Sequence, residues 1–255
     1  MKKEYLKEIK SSLKEQMKLM HFKIKGQNFI RVVNNQIYQV VNFQGSASGN
    51  KFTVNIGIFP IFTNEGSLIN PFLRIGDFIS GIDVWYDYSE DSVHEVVDVI
   101  SNKVLPVLDS LTTYEKLYFD VESELDNKLN SVDNVRNYKF AIINTSGMIN
   151  LFWLCFKNNR YDKCKQILEL EKENIKNWLD RCLEVQDEFK KNTASERFIK
   201  KIEENKSKLV SLAQERTKFV DNLYMLLENN DIKKLTSIID EIQFNNLKKF
   251  KKFCF

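Results

Sequence analysis

Turn-forming residues are spread so unevenly along this chain that they divide it in two. Seven of its eight glycines fall at or before Gly81, and its three prolines, Pro60, Pro71 and Pro106, fall at or before residue 106; after that only Gly147 interrupts. Hairpins need such residues and long helices exclude them. The chain is therefore expected to be α+β. Residues 1–112 should form an α+β domain, an N-terminal helix plus an antiparallel β-meander with a covering helix, and residues 113–255 an all-α helical bundle.

Local patterns fill in the first region. Tyr5, Leu6, Ile9, Leu13, Met17 and Met20 recur at spacings of three and four, which predicts an amphipathic helix ending before Gly26. The runs "FIRVV" (29–33) and "QIYQVVNFQ" (36–44) flank Asn34-Asn35, a tight-hairpin signature because Asn tolerates the left-handed backbone of such turns. The glycine-bearing "GSASGN" then leads to a third strand, "KFTVNIGIFPIF", with Pro60 marking an edge or an end. A second helix starts at Ser89 as N-cap, with Glu90 and Asp91 in its first turn and Ser92 three residues before Glu95. Pro106 should kink or restart it.

The second region reads as four to six helices. From 194 to 230 one long helix is expected to pack through Phe198, Ile202, Leu209, Leu212, Val220, Leu223 and Leu227, with Lys and Glu crowding its other faces. "NNRYDKCKQILE" at 158 and "NNDIKKLTSIID" at 229 echo each other as helix-turn-helix joints, but the Trp, Gly, Ala and Pro signature of tetratricopeptide-type repeats is missing, which favours a bundle over a solenoid. The basic-aromatic end "NNLKKFKKFCF" suits the last turn of a helix, with lysines offsetting its negative end while the phenylalanines dock on the bundle.

The unusual feature of the strands is amides at alternate positions. Period-two alternation puts Phe52, Val54, Ile56 and Ile58 on one side of the third strand and Thr53, Asn55, Gly57 and Phe59 on the other. In the strand before it, Tyr38, Val40, Asn42 and Gln44 oppose Ile37, Val41 and Phe43. If the polar sides coincide, they make a face carrying Asn42, Gln44, Thr53 and Asn55, joined by Arg31 of the first strand. Two readings stay open: a solvated face whose amides pair with one another, or a site for a polar ligand or a partner's backbone.

The order Phe29-x-Arg31, "QVVNFQ", "FTVNIG", "RIGDF" and "GIDVWYDY" resembles the bacterial family catalogued as domain of unknown function 4304, over about residues 5–118. The resemblance implies a small cytoplasmic α+β domain and brings no established activity, cofactor or catalytic residue. In place of the second Trp that follows Asp-x-Trp in many relatives, this chain has Tyr86.

Composition narrows the chemistry further. Thirty-eight basic and 35 acidic residues leave a formal charge of +3, so no global field draws the chain to nucleic acid or membrane, and any such partner must be met through a local patch. Two histidines, His21 and His94, are too few for a histidine metal site or triad. Phosphate-binding glycine loops and a nucleophile elbow are missing. Cys155, Cys164, Cys182 and Cys254 show no metal spacing and are expected as free thiols. The longest apolar stretch, "MINLFWLCF", falls short of the roughly 20 residues that span a bilayer, and no targeting leader is read at the N-terminus. A cytoplasmic protein without cofactor or membrane span is expected.

Between Asp77 and Asp98 lie seven carboxylates and no Lys or Arg. They read as solvated surface, as an acidic rim that docks a basic partner, or as acid/base or metal groups. The leading expectation is a non-enzymatic interaction protein with a protein partner, of bacterial immunity or defence type, using Arg31, Asn42, Gln44, Asn55, Arg74, Asp83 and Trp85. The alternatives are an enzyme with Arg31 and Arg74 as anion clamps and Asp83 or Asp87 as acid/base or metal ligand, and a peptide-binding helical module. Trp85 fits either a core anchor or an exposed hot spot.

Overall fold

The computed structural model describes residues 2–63, 73–79, 84–130, 148–193 and 195–254. Helix α1 (Lys2–Leu19) is followed by strands β1 (Lys23–Lys25), β2 (Asn28–Val33), β3 (Ile37–Gly45), β4 (Lys51–Pro60), β5 (Leu73–Arg74) and β6 (Tyr86–Asp87). Helices α2 (Glu90–Val99), α3 (Leu105–Ser110), α4 (Tyr114–Asn130), α5 (Met148–Lys157), α6 (Tyr161–Lys191), α7 (Glu196–Glu228) and α8 (Ile232–Cys254) complete the described chain. This is the expected α+β order, with β1, β5 and β6 as additions. The chain divides by compactness into one unit of residues 1–159 with 239–255 and another of residues 160–238. That division differs in kind from the composition change near residue 112, which marks where hairpins stop.

The sheet is antiparallel in the order β1-β2-β3-β4-β5, with β6 also pairing with β4. Its first turn decides which side chains share a face. Asn34 and Asn35 both adopt left-handed φ, 53° and 55°, and the Gln36 N–H donates to the Val33 carbonyl at 2.9 Å. The strands do not then pair 33 with 36: Val33 lies opposite Ile37, leaving Gln36 as an extra residue whose carbonyl accepts from the Ile61 N–H at 2.7 Å. One residue of register moves a whole strand to the opposite face. Arg31 therefore lies opposite Gln39, not Tyr38, and away from the amides it was expected to join.

The first face of the sheet presents Phe29, Ile37, Val41, Phe43, Phe52, Val54, Ile56 and Ile58, all buried. Its cover comes from helices with matching buried stripes: Ile9, Leu13 and Met17 of α1, Val93 and Val96 of α2, and Leu105 and Leu108 of α3. Each helix stops or bends for a local reason. α1 ends with His21 left-handed (φ 63°) and the Phe22 N–H bonded back to Met17 at 2.8 Å, a Schellman closure. α2 starts on Ser89, whose Oγ accepts the Ser92 N–H at 3.2 Å. It then widens into a π turn over Ile100–Val104 before α3 begins with Pro106 in its first turn. Proline lacks the N–H that an unbroken ladder would need there, and the restart accommodates it.

Toward one end the second face is apolar: Ile30, Tyr38, Val40, Phe59 and Ile61 gather around Phe250 of α8. The Phe250 ring stacks on Tyr38 at 4.5 Å, and Asn246 Nδ2 donates to the carbonyls of Ile61 and Thr63 at 2.7 and 3.0 Å. The C-terminal helix thus docks on the sheet, where a bundle contact was expected. Gly57 is required beneath it, because a Cβ there would lie 2.3 Å from the Phe59 ring and 2.7 Å from Val40.

In the unit of residues 160–238, α6 and α7 pair as an antiparallel hairpin. Glu171, 3% exposed, accepts from Arg216 at 3.0 Å, and Lys172–Asp221, Lys190–Glu203 and Lys206–Asp187 bridge the two helices. α7 is the long helix expected, but Phe198 and Leu212 of its predicted inward stripe are exposed. Asn159 and Asn230, one in each Asn-Asn joint, share left-handed φ of 59° and 54°, so the echo in the sequence reflects two left-handed turns at helix ends.

Candidate interaction face

Away from α8, the second sheet face turns polar in a single cross-strand row. Asn28, Asn42, Asn55 and Arg74 are direct partners across β2, β3, β4 and β5. The next row pairs Gln44 with Thr53. The amides form a directed chain: Asn55 Nδ2 donates to Asn42 Oδ1 at 3.0 Å and to Gln44 Oε1 at 2.8 Å, and Asn42 Nδ2 donates to Asn28 Oδ1 at 2.6 Å. A chain with one sense polarises its members and leaves an acceptor at one end and a donor at the other. The acceptor end is Asn55 Oδ1, which is buried and has no hydrogen-bond partner among the described residues.

The row ends in a cation–aromatic pair. The Arg74 guanidinium lies 4.8 Å from the centre of the half-exposed Trp85 ring, so Trp85 is neither fully buried nor fully open. Thr53 Oγ1 donates to the Val84 carbonyl at 2.8 Å, tying the segment that carries Trp85 to β4. Asn42, Gln44, Asn55, Arg74 and Trp85 are thereby brought together, and Asn28 completes the row. Asn28 was missed because it precedes the first obvious strand residue, Phe29.

Arg31 is used elsewhere. On the opposite face it is 6% exposed, and it donates to Gln39 Oε1 (2.7 Å), the Met20 carbonyl (2.8 Å) and the Leu108 carbonyl (3.1 Å). Gln39 Nε2 adds bonds to the carbonyls of Leu108 and Leu111 at 2.7 and 2.8 Å. These acceptors sit at the C-terminal ends of α1 and α3, where orphan carbonyls carry partial negative charge. Burial lowers the Arg31 pKa, and Asp109, 3.7 Å away and largely exposed, partly offsets that. Arg31 and Arg74, on opposite faces, cannot clamp one anion.

The acidic segment is also largely accounted for by local contacts. Asp77 Oδ2 accepts the Arg74 N–H at 2.7 Å, Glu95 accepts from the Tyr86 hydroxyl at 3.3 Å, and Asp98 accepts from Asn102 at 2.7 Å. Asp87 is exposed, 3.9 Å from Lys51. Asp83 lies outside the described residues. Among those residues no cluster of His, Cys, Asp and Glu could hold a metal ion, and no helix is long and apolar enough to cross a membrane. Cys155 and Cys164 are buried.

A concavity of about 670 Å³ opens at the other end of the same unit. It is lined by the Asn34-Asn35 turn, Tyr114, Lys157, Asp240, Gln243 and Phe244. Its polar groups are engaged with each other: Gln243 Nε2 donates to the Tyr114 hydroxyl at 2.5 Å, Lys157 pairs with Asp240 at 2.9 Å, and Gln36 Oε1 accepts the Tyr114 N–H at 2.8 Å.

Residues 14–110 match the family described as Domain of unknown function (DUF4304). The chain carries a DUF4304 domain. The match begins inside α1 and ends at Ser110, the last residue of α3, so the DUF4304 segment holds the whole sheet, the amide row, Arg31 with its helix-end carbonyls, and Trp85. It spans less than half of the chain and leaves α4 to α8 outside. No curated protein and no solved structure matches the chain.

Proposed function

We propose that the DUF4304 segment is a non-enzymatic protein-interaction module whose contact surface is the polar end of the second sheet face. The observation that carries this reading is the amide row running into Arg74 and Trp85, with Asn28, Asn42, Arg74 and Trp85 half-buried and Gln44 exposed. Backbone groups or side-chain amides of a protein partner meet the accessible amides of Asn28, Asn42 and Gln44, and Trp85 supplies area of the kind that dominates contact energies. In concrete form, the protein is a defence- or immunity-type inhibitor that binds and neutralises a partner protein. The acidic rim contributes less to this reading than the sheet face, since Asp77, Glu95 and Asp98 are held in local bonds.

The test uses the full chain and a Gln44→Ala, Trp85→Ala variant, chosen because neither side chain is buried, with the helical circular dichroism signal as the folding check. A protein captured by the wild type is purified and titrated against both chains, and hydrogen exchange is followed on the complex. The expected result is a one-to-one complex that protects β3 to β5 and is weakened about tenfold or more in the variant, one hot-spot loss being about 2 kcal/mol. Equal affinity for both chains, or protection confined to α4 to α8, removes the sheet-face assignment.

A further inference from the structure

The closed end of the α6–α7 hairpin is built unlike the rest of it. Along α6 the buried residues are Cys164, Ile167, Leu168, Glu171 and Ile175, all in its first half. Toward the turn burial ends, yet two phenylalanines remain: Phe189 in the last turn of α6, 57% exposed, and Phe198 in the first turn of α7, 54% exposed. One stands on each helix, within one turn of the end, so a surface crossing the hairpin end-on meets both.

Charge at the tip itself is mostly basic, and the carboxylates Asp187, Glu188, Glu203 and Glu204 flank it further from the turn, Asp187 and Glu203 being paired with Lys206 and Lys190. Between residues 189 and 201 there are five basic side chains, Lys190, Lys191, Arg197, Lys200 and Lys201, against one carboxylate, Glu196. All five are exposed. Only Lys190 is tied down, by Glu203 at 2.7 Å; among the described residues the other four make no ion pair. Arg197, Lys200 and Lys201 follow at i, i+3 and i+4 and share one helix face. In a chain whose acidic and basic residues nearly cancel, this is a local patch of the sort the sequence demanded for any polyanionic partner.

We infer that the end of the α6–α7 hairpin docks on an anionic lipid surface. Exposed phenylalanine beside lysine and arginine is the composition that binds the headgroup boundary: the rings enter the acyl edge and the cations meet lipid phosphates and carboxylates. Single-stranded nucleic acid is a poorer fit, because it is held in a groove that tracks the backbone past stacked rings. Here the rings stand on two separate helices at a convex end. Each basic residue near such a surface contributes about fivefold in partitioning, and the attraction weakens beyond a Debye length.

The experiment is vesicle flotation of the full chain, with phosphatidylcholine vesicles and vesicles containing about 30% phosphatidylserine, each at about 0.1 M and 0.5 M salt. Binding to the anionic vesicles at least tenfold above the neutral ones is expected, with most of it lost at the higher salt. A Phe189→Ser, Phe198→Ser variant should lose about tenfold or more. A Lys200→Glu, Lys201→Glu variant, which leaves the rings in place, should lose more, and both sit at exposed positions that leave the helical signal unchanged. Equal binding to both vesicle types, undiminished binding by either variant, or capture of a single-stranded oligonucleotide in place of vesicles overturns the inference.

Discussion

The two faces of the sheet use the same kind of side chain to opposite ends. On the helix-covered face, Arg31 and Gln39 lie deep in the core, and their donors close on carbonyls at the ends of α1 and α3. On the other face, Asn42 and Asn55 bond to each other, to Asn28 and to Gln44, and among the described residues the Asn55 Oδ1 acceptor is left over. A buried polar pair that satisfies helix ends is a fastening, and its partners are fixed by the fold. The row on the other face leaves Asn28 and Asn42 half-buried and Gln44 exposed, and the proposed contact lies there. The contrast is one of accessibility and does not depend on residue type.

The largest effect should follow from cutting the fastening. Arg31→Met removes the donors to Gln39 Oε1, Met20 and Leu108 while keeping much of the side-chain volume over the Phe22 ring, which the guanidinium now covers at 4.6 Å. The Leu108 carbonyl keeps its bond from Gln39 Nε2, so two acceptors, Gln39 Oε1 and the Met20 carbonyl, are left unmade at about 1 kcal/mol or more each, and urea unfolding should show a loss of about 2 kcal/mol or more. The Asp109 pair adds little to that figure, being long and mostly solvated. Asn55→Ala on the opposite face should cost about 1 kcal/mol or less: it gives up two bonds but also removes the unpartnered oxygen, and solvent reaches the exposed Gln44. Equal losses at the two positions would dissolve the distinction between the faces.

What the sequence made legible was whatever depends on near neighbours. The left-handed Asn34-Asn35 turn, the Ser89 cap, the restart at Pro106 and the long α7 are all set by residues within a few positions, and all appear. The face of Arg31 was lost to a single residue: a two-residue connection would have placed it with Tyr38 and the amides, and the extra Gln36 turned it to the other side. That choice rests on Ile61 bonding to Gln36, a contact made 25 positions along the chain and invisible to local pattern. The same limit hid Phe250 on Tyr38 and Arg74 opposite Asn55, because tertiary pairing places those rings and charges. Period two put Asn42, Gln44 and Asn55 together because β3 and β4 keep an unbroken register from Ile37 to Gly45.

The smallest effect at neutral pH, and the only one that changes sign with conditions, belongs to Tyr86 on the helix-covered face. It stands opposite Phe52, and its hydroxyl donates to Glu95 over a long 3.3 Å, so Tyr86→Phe should change stability by less than about 1 kcal/mol at pH 7. Burial, reinforced by the neighbouring Glu95 charge and the hydrogen bond to it, holds the phenol well above its ordinary value of 10.0. In the unfolded chain it ionises near that ordinary value while the folded form keeps its proton, so above pH 10 the unfolded state binds fewer protons and stability falls as pH rises. The contribution is whole below pH 10 and drains away between there and the raised folded value. Tyr86→Phe has no such proton to lose. Unfolding of the two chains followed from pH 8 to 11 should therefore show the wild type falling relative to the variant, and parallel curves would mean that the helix-covered face is wetter at Tyr86 than its 5% exposure implies.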